Sequence, residues 1–372
     1  MATSTALRLS QIRPFTTADI PQVADLHRRV FGLADRTSPE LLQSYRTYFT
    51  QVFLNNPWRD ETNDSFVYEE NDGRITGFLA VMPRRMCFHG QVIQAWITSQ
   101  FVVDPDFRGR VGLKLMSAVL AGPQDITIAD ESNADSRKLW EGLGGTTSHL
   151  YSMRWIYPLR PCQFALWVSR KKQFLPPFVS AILGPVAQTL DGLVARILKF
   201  PCPPSAPKVF GEDLDCETLS ACLSEAGRKQ SIRPDYDHHS LSWVLERAGQ
   251  MQQYGLLQKV LLKTEKQQIV GWYLYYANPG GVSEVIQLHA KPNFSGDVLV
   301  HLFRHAWGQG ATALSGRMEP GMMQSFSDKH CIFHCGPQWV LVHSRRPELL
   351  QAFNGGTAGF SRLDGEWCLH FQ

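Results

Sequence analysis

The sequence has little charge of one sign. Its 372 residues carry 37 Lys and Arg against 34 Asp and Glu, a formal net charge of +3. A general nucleic-acid binder has a stronger basic bias, so no nucleic-acid partner is expected. Cysteine is sparse, with eight residues scattered along the chain. A disulfide scaffold would be shorter and denser in Cys, so reduced thiols in a cytoplasmic setting are expected. The opening segment, MATSTALRLSQIRPF, lacks the apolar core of a secretory signal. Unbroken apolar runs are missing too. The most apolar stretch, Gln173 to Leu190, is interrupted by Pro176, Pro177, Gly184 and Pro185, which argues against a membrane-spanning helix. What is present suits globular domains: 44% hydrophobic residues supply cores, and 19% charged residues are too few for a disordered chain. At about 150 residues per domain, the length predicts two domains and a connector.

Patterning divides the chain into 8–158, 159–207 and 208–372. The first part alternates strand and helix signals. Leu7 to Pro14 reads as a strand, Thr17 to Phe31 as a helix capped by Thr16 or Thr17, and Ser38 to Phe53 as a second helix. Strand signals follow at Ser65–Glu69, Arg74–Pro83 and Val92–Val103, and Asp72-Gly73 predicts a hairpin between the first two. Gly112–Leu120 and Asn133–Leu143 read as helices around a strand at Asp125–Ala129, and a strand pair is expected within Thr146–Tyr157. The connector is rich in Pro and carries the basic cluster Arg170, Lys171 and Lys172. It reads as two short apolar helices, the second ending near Pro201 and Pro203-Pro204. The element order from 208 onward echoes the first part, with Pro347–Phe353 helical and Gly365–Phe371 a closing strand.

Phe101 to Met116, FVVDPDFRGRVGLKLM, carries the chemistry. A strand ends at Val102-Val103, Pro105 breaks it, and a Gly- and Arg-rich turn opens a helix. Such a turn aims several backbone N–H groups at one spot, backed by the positive helix N-terminus, and suits a pyrophosphate. Gly109 and Gly112 allow close backbone approach, and Arg108 and Arg110 add charge. A plain strand-to-helix turn with solvated arginines fits this segment equally well.

Asn133 to Gly144, NADSRKLWEGLG, follows a strand and Asp130-Glu131. With this second segment the sequence resembles the GNAT acyltransferase superfamily. Val103, Pro105, Arg108 and Gly109 match its pyrophosphate motif. Asn133, Ser136, Leu139 and Gly144 fall at the spacing of the next motif, and Ile12-Arg13-Pro14 with Asp19 matches its opening. The resemblance covers roughly residues 10–157. It implies an α/β fold, with a mixed, mostly antiparallel sheet flanked by helices. It also implies an acyl-CoA site at Phe101, Val102, Val103, Arg108, Gly109, Arg110, Val111, Gly112, Leu113, Asn133, Ser136 and Trp140. The departures bear on catalysis: one Gly follows Arg110 where two are usual, Trp140 stands where a Tyr proton donor is common, and Gly145 replaces a Phe. The strand Trp96-Ile97-Thr98-Ser99-Gln100 has no carboxylate where a Glu base is frequent.

Acyl transfer from a thioester needs a neutral amine, an acceptor for its proton, and an N–H donor for the tetrahedral oxyanion. The backbone near Val102-Val103 is a candidate donor. Asp130 and Glu131 are candidate bases, or else caps for the following helix. Tyr151 is a candidate acid, or else a packed sheet aromatic. Ser136 either meets the thiol or simply makes room for it.

The C-terminal part looks like a second, divergent GNAT-like unit. Its counterpart of the phosphate turn, Ala290 to Gly296, has one Gly and no Arg. Ile232-Arg233-Pro234 through Leu241-Ser242-Trp243 is similar to tandem GNAT-like proteins of bacterial biosynthetic clusters. This unit reads as substrate-binding or structural. His330, Cys331, His334 and Cys335 would share helix faces and suit zinc if helical, but no second cluster supplies partners, and no metal is expected. Trp272, Tyr273, Tyr275 and Tyr276 suit either a core or a substrate groove. The apolar connector residues (Phe164, Leu166, Trp167, Phe174, Leu175, Phe178, Ile182, Val186, Leu190, Leu193 and Leu198) fit interface packing, a sleeve for a long acyl chain, or peripheral membrane contact through 164–200. The resulting reading is an N-acyltransferase that moves an acetyl or longer acyl group from acyl-CoA, a co-substrate and not a resident cofactor. Its acceptor would be a small-molecule amine or a Lys- or Orn-type side chain of a peptide. A non-catalytic acyl-CoA-binding protein and a membrane-surface or partner-binding module are the alternatives.

Overall fold

A computed structural model describes residues 10–32, 38–60, 64–174, 176–197 and 208–371. Among the sequence expectations, Leu7, Leu175, Leu198, Pro201, Pro203 and Pro204 lie outside these residues. In chain order the strands are β1 (Gln11–Pro14), β2 (Phe66–Glu69), β3 (Ile75–Phe88), β4 (Gln91–Val103), β5 (Ile126–Ser132), β6 (Thr146–Thr147) and β7 (Met153–Pro158). Then come β8 (Phe210–Asp213), β9 (Ile232–Pro234), β10 (Leu256–Lys263), β11 (Ile269–Ala277), β12 (Val282–Ala290), β13 (Ala313–Arg317), β14 (Ile332–Cys335) and β15 (Trp339–His343). They form two mixed, mostly antiparallel sheets, ordered β1-β2-β3-β4-β5-β15-β6 and β14-β7-β13-β12-β11-β10-β8, with β9 added to the far end of β3. Helices flank both, so the chain is α/β with two GNAT-like units.

The two units exchange strands. β7 leaves the first unit and lies between β13 and β14 of the second sheet, with Trp155 opposite both Gly316 and Phe333. β15 returns the exchange and lies between β5 and β6, with Leu341 opposite Ala129 and Thr147. Thr146–Tyr157 is therefore not a strand pair: its two strands belong to different sheets, separated by the short helix His149–Ser152. Gly365–Phe371 is not a strand either. It forms a 3-10 turn at Trp367–Leu369, and its tail runs into the first unit's cleft. His330–Cys335 is not helical, because β14 covers its last four residues; the i,i+4 faces needed for the zinc reading do not form.

Packing places the first unit's key helix. α1 (Ile20–Val30) and α2 (Pro39–Phe49) cover one face of the first sheet through an aromatic core that includes Phe15, Tyr45, Phe49 and Phe78. α3 (Arg108–Leu120) and α4 (Ala134–Gly142) cover the other. α3 docks tightly because β3 carries Gly77 beneath it: a Cβ there would stand 2.5 Å from Val111 Cγ1 and 2.7 Å from Leu115 Cδ1. That contact fixes where the N-terminus of α3 points. The connector is a hairpin of α5 (Pro161–Lys171) and α6 (Pro177–Ile197), whose main contact is each other. Of its apolar side chains, Phe174, Phe178, Ile182, Val186, Leu190 and Leu193 are exposed and do not face a closed channel.

A buried charge network ties the units together. Arg317 on β13 donates to Asp130 Oδ2 on β5 at 2.9 Å and lies 3.7 Å from Glu131. Arg362 bridges Glu131 at 3.2 Å and Glu284 at 3.1 Å, and Arg154 on β7 also holds Glu284. Removing one partner would leave an uncompensated buried charge, which is the costly case.

Candidate active site

β4 and β5 run parallel from Ala95↔Ile126 to Ile97↔Ile128, and their ladder goes no further. The space between their C-terminal ends is a cleft of about 600 Å³. Phe101, Glu131, Asn133, Ser136 and Trp140 line it from the first unit, and Tyr254, Glu366 and His370 line it from the C-terminal part.

At the head of the cleft β4 bulges. Ser99 pairs with Ala80 and Val102 with Phe78, so Gln100 and Phe101 together oppose Leu79. Such a bulge leaves the extra residue outside the ladder. Gln100 takes φ +48°, a left-handed conformation that a non-glycine residue rarely holds without support. The support is buried. His27 Nε2 lies 2.8 Å from Gln100 Oε1 and its Nδ1 lies 2.8 Å from Tyr45 OH, while Gln100 Nε2 donates to Tyr48 OH at 3.1 Å. Burial holds the His27 pKa below its ordinary value, which favours a neutral ring that can donate to Gln100 Oε1 from Nε2 and accept from Tyr45 OH at Nδ1.

The phosphate turn lies one step further. Pro105–Phe107 is a 3-10 turn whose first N–H is met by Asp104, and no side chain caps α3 behind it. The N–H groups of Gly109 and Arg110 precede the first i→i−4 bond of α3 and lack intrahelical partners, and an anion there would be favoured. Gly109 has nothing within 4 Å of where a Cβ would stand. Arg108 is exposed and has no ion-pair partner among the described residues, whereas Arg110 donates to Glu70 at 2.8 Å. Gly112 lets α3 lie against Phe101 and Val103, at 3.4 and 3.8 Å from a notional Cβ. Val111 and Val102 point into the cores, and Leu113 is exposed. Asn133 Oδ1 caps α4 by accepting from Ser136 N at 2.9 Å. Trp140 is fully buried at the cleft wall, and its Nε1 finds no protein acceptor among the described residues. The α3 turn with Arg108 suits a pyrophosphate, and Phe101 and the bulge line the cleft, whereas none of Arg108 to Leu113 does.

The ionisable candidates separate. Glu131 lines the cleft, while Asp130 lies behind it, held by Arg317 and by the Glu366 N–H at 2.7 Å. Tyr151 does not line the cleft; it is buried in the first core, with its hydroxyl bonded to Ala358 O. Burial, reinforced by the neighbouring Asp130 charge, pushes Glu131 up to about 7 despite Arg317 and His370 pulling down. Burial alone would lower His370. Its ion pair with Glu366, with the charge of Glu131 beyond, instead raises it above the usual imidazole value. His370 Nε2 lies 3.8 Å from Glu366 Oε2. Sequence reading missed Glu366 and His370. An i,i+4 acid–imidazole pair was visible, but nothing local said the tail would enter the other unit's cleft.

The second sheet repeats the splay. β12 and β13 pair in parallel from Val282↔Ala313 to Val285↔Gly316, and beyond them opens a cleft of about 440 Å³. His289, Lys291, Glu319 and Met322 line it, and no arginine among the described residues does.

Residues 11–123 match the family described as Acetyltransferase (GNAT) domain. That part of the chain is a GNAT acyltransferase domain. The fold of the whole chain is similar to those of several solved structures. A probable N-acyltransferase from Enterococcus faecalis V583 aligns over 93% of this chain and 74% of its own, at 10% identity and TM-score 0.56. A GCN5-related N-acetyltransferase from Kribbella flavida aligns over 90% and 70%, at 12% identity and TM-score 0.55. The Saccharomyces cerevisiae N-myristoyltransferase, solved with bound myristoyl-CoA, aligns over 91% and 80%, at 8% identity and TM-score 0.51. No curated protein matches the sequence. A GNAT domain over residues 11–123 thus sits in a chain whose whole fold is similar to those of these proteins.

Proposed function

We propose that the chain transfers an acyl group from acyl-CoA to a primary amine in the cleft between β4 and β5. One observation carries the reading: the cleft between β4 and β5 joins the backbone bulge at Gln100–Phe101 to Glu131, a carboxylate poised near neutrality, and the uncapped α3 turn with Arg108 follows β4 in the chain. The pyrophosphate rests on the α3 turn. The thioester carbonyl reaches the bulge, whose unpaired amide donates to the oxyanion. Glu131 takes the proton from the attacking amine, because a base poised near the working pH is the most effective one. The C–N bond forms, the C–S bond breaks, and His370, kept cationic by Glu366, is the group that returns a proton to the departing thiolate. Asp130 positions Glu131 and Arg317, and Tyr151 is structural.

The acceptor enters from the side walled by Tyr254, Glu366 and His370. It is a small-molecule amine or a Lys- or Orn-type side chain, and the donor is an acetyl or longer acyl-CoA. The second cleft lacks the phosphate turn and serves structure or the acceptor. The described cysteines are all unpaired, which fits a reducing cytoplasm. The deciding experiment follows CoA release from a series of acyl-CoA donors, two to sixteen carbons long in about even steps, each with a panel of amines. Turnover with any pair supports the reading. Tight CoA binding without turnover for any pair would make the chain a non-catalytic acyl-CoA-binding protein.

A further inference from the structure

The connector hairpin presents an apolar surface that neither unit covers. On α6, Phe178, Ile182, Val186, Leu190 and Leu193 recur at helical spacing along one stripe, with exposures of 68, 70, 53, 48 and 53%. Phe174, just before the helix, is 71% exposed. The opposite side of α6 is spoken for: Ala187 is buried, and Asp191 accepts from the Cys162 and Gln163 N–H groups at 2.8 and 3.0 Å, capping the start of α5. A patch this continuous on a folded domain marks an interaction surface.

Charge says what meets it. Residues 159–197 contain five cations and a single acid, Asp191, which is buried in its capping role. Three of the cations, Arg170, Lys171 and Lys172, are exposed together at the turn of the hairpin, beside the most exposed apolar residues. Lys171 lies 5.0 Å over the Trp167 ring and Lys172 5.9 Å over that of Phe174. The other end is anchored, because the Arg160 side chain donates to Ala311 O and Trp307 O. No helix among the described residues is long and apolar enough to cross a membrane.

We propose that this hairpin docks the protein onto an anionic lipid surface, with the α6 stripe lying in the interface and Arg170, Lys171 and Lys172 meeting the headgroups. An in-plane helix needs this combination of an apolar face, flanking aromatics and adjacent cations, without the length to span. A second copy of the chain would cover the stripe, but its own hairpin has no exposed acid to meet the cations. The proposal rests on the hairpin alone and does not depend on the reaction in the β4–β5 cleft.

The test is co-sedimentation of the full chain with phosphatidylcholine vesicles containing about one third phosphatidylglycerol, against phosphatidylcholine alone. Binding is expected to the anionic vesicles and to weaken with added salt. Phe178→Glu with Ile182→Glu should reduce it at least about tenfold, and each Ala in place of Arg170, Lys171 or Lys172 about fivefold. CoA affinity, measured on the same variants, should stay unchanged and shows that they are folded. Wild-type protein left in the supernatant with anionic vesicles would overturn the proposal, as would a Phe178→Glu/Ile182→Glu variant that sediments like wild type. So would a solution dimer that this variant breaks, in a chain that does not bind vesicles.

Discussion

The indole of Trp140 fills the space that a side chain on residue 145 would need: a Cβ there would stand 1.7 Å from Trp140 Cδ1. The departure at residue 145, Gly for the common Phe, is thus tied to the ring held at residue 140. A larger ring on α4 is matched by the absence of a side chain on the neighbour beneath it. Gly145→Ala should destabilise the protein by about 1–3 kcal/mol through overpacking. Combined with Trp140→Ala, which removes the overlapping ring, the same change should cost much less, because residues in direct contact couple. Urea unfolding of the two single variants and the double variant checks this; additive losses would refute it.

Arg108 and Arg110 stand two residues apart yet are not equivalent. Arg108 has no ion-pair partner among the described residues, whereas Arg110 is engaged with Glu70. Arg108→Ala should weaken CoA binding about tenfold or more, given roughly 1.5–3 kcal/mol for a charge-assisted contact. Arg110→Ala should have a smaller effect. Calorimetry reads both, and should also return one CoA per chain, since no arginine lines the second cleft among the described residues. A second CoA site would contradict that.

The cleft should titrate. Glu131, pushed up to about 7, serves as base only when ionised, so kcat/KM should rise with pH through about 7. It should fall again where His370 loses its proton. Glu131 and His370 face each other electrostatically, so the two limbs belong to the pair. Glu131→Gln should abolish the rising limb and His370→Asn the falling one. An unchanged profile in Glu131→Gln would remove the carboxylate from its assigned role.

Stability should move the other way. Burial pushes Glu284 up to about 7, outweighing Arg154 and Arg362. A carboxyl whose folded pKa is raised stabilises the fold while protonated, fully so below its unfolded value near 4.5. That contribution is lost as pH rises through about 7. Thermal unfolding should therefore show Tm declining between pH 5 and pH 8 (about three pH units), with a flatter curve for Glu284→Gln. A Tm that rises across that interval would refute the assignment.

Local features were legible in the sequence wherever neighbours in the chain determine them. The hairpin at Asp72-Gly73 formed as its residues demanded, and the turn before α3 took its place from Pro105 and the glycines; the cap of α4, however, is Asn133 and not Asp130 or Glu131. The bulge at Gln100 was not visible, because its support comes from His27 and Tyr48 on other elements. Nor was the placement of Glu366 and His370 in the cleft, which depends on where a distant tail packs. Strand pairing across the units escaped as well. An apolar run such as Met153–Pro158 looks the same whichever sheet receives it, and the pairing of Trp155 with Gly316 joins residues far apart in the chain.

The exchange of β7 and β15 makes the connector a place where the chain can be cut but the protein cannot be divided. Each half, expressed alone, would present an open slot in the middle of its sheet and hold the strand that belongs in the other's. Two such fragments mixed together would be each other's missing piece, so that activity recovered on mixing would report assembly of the whole.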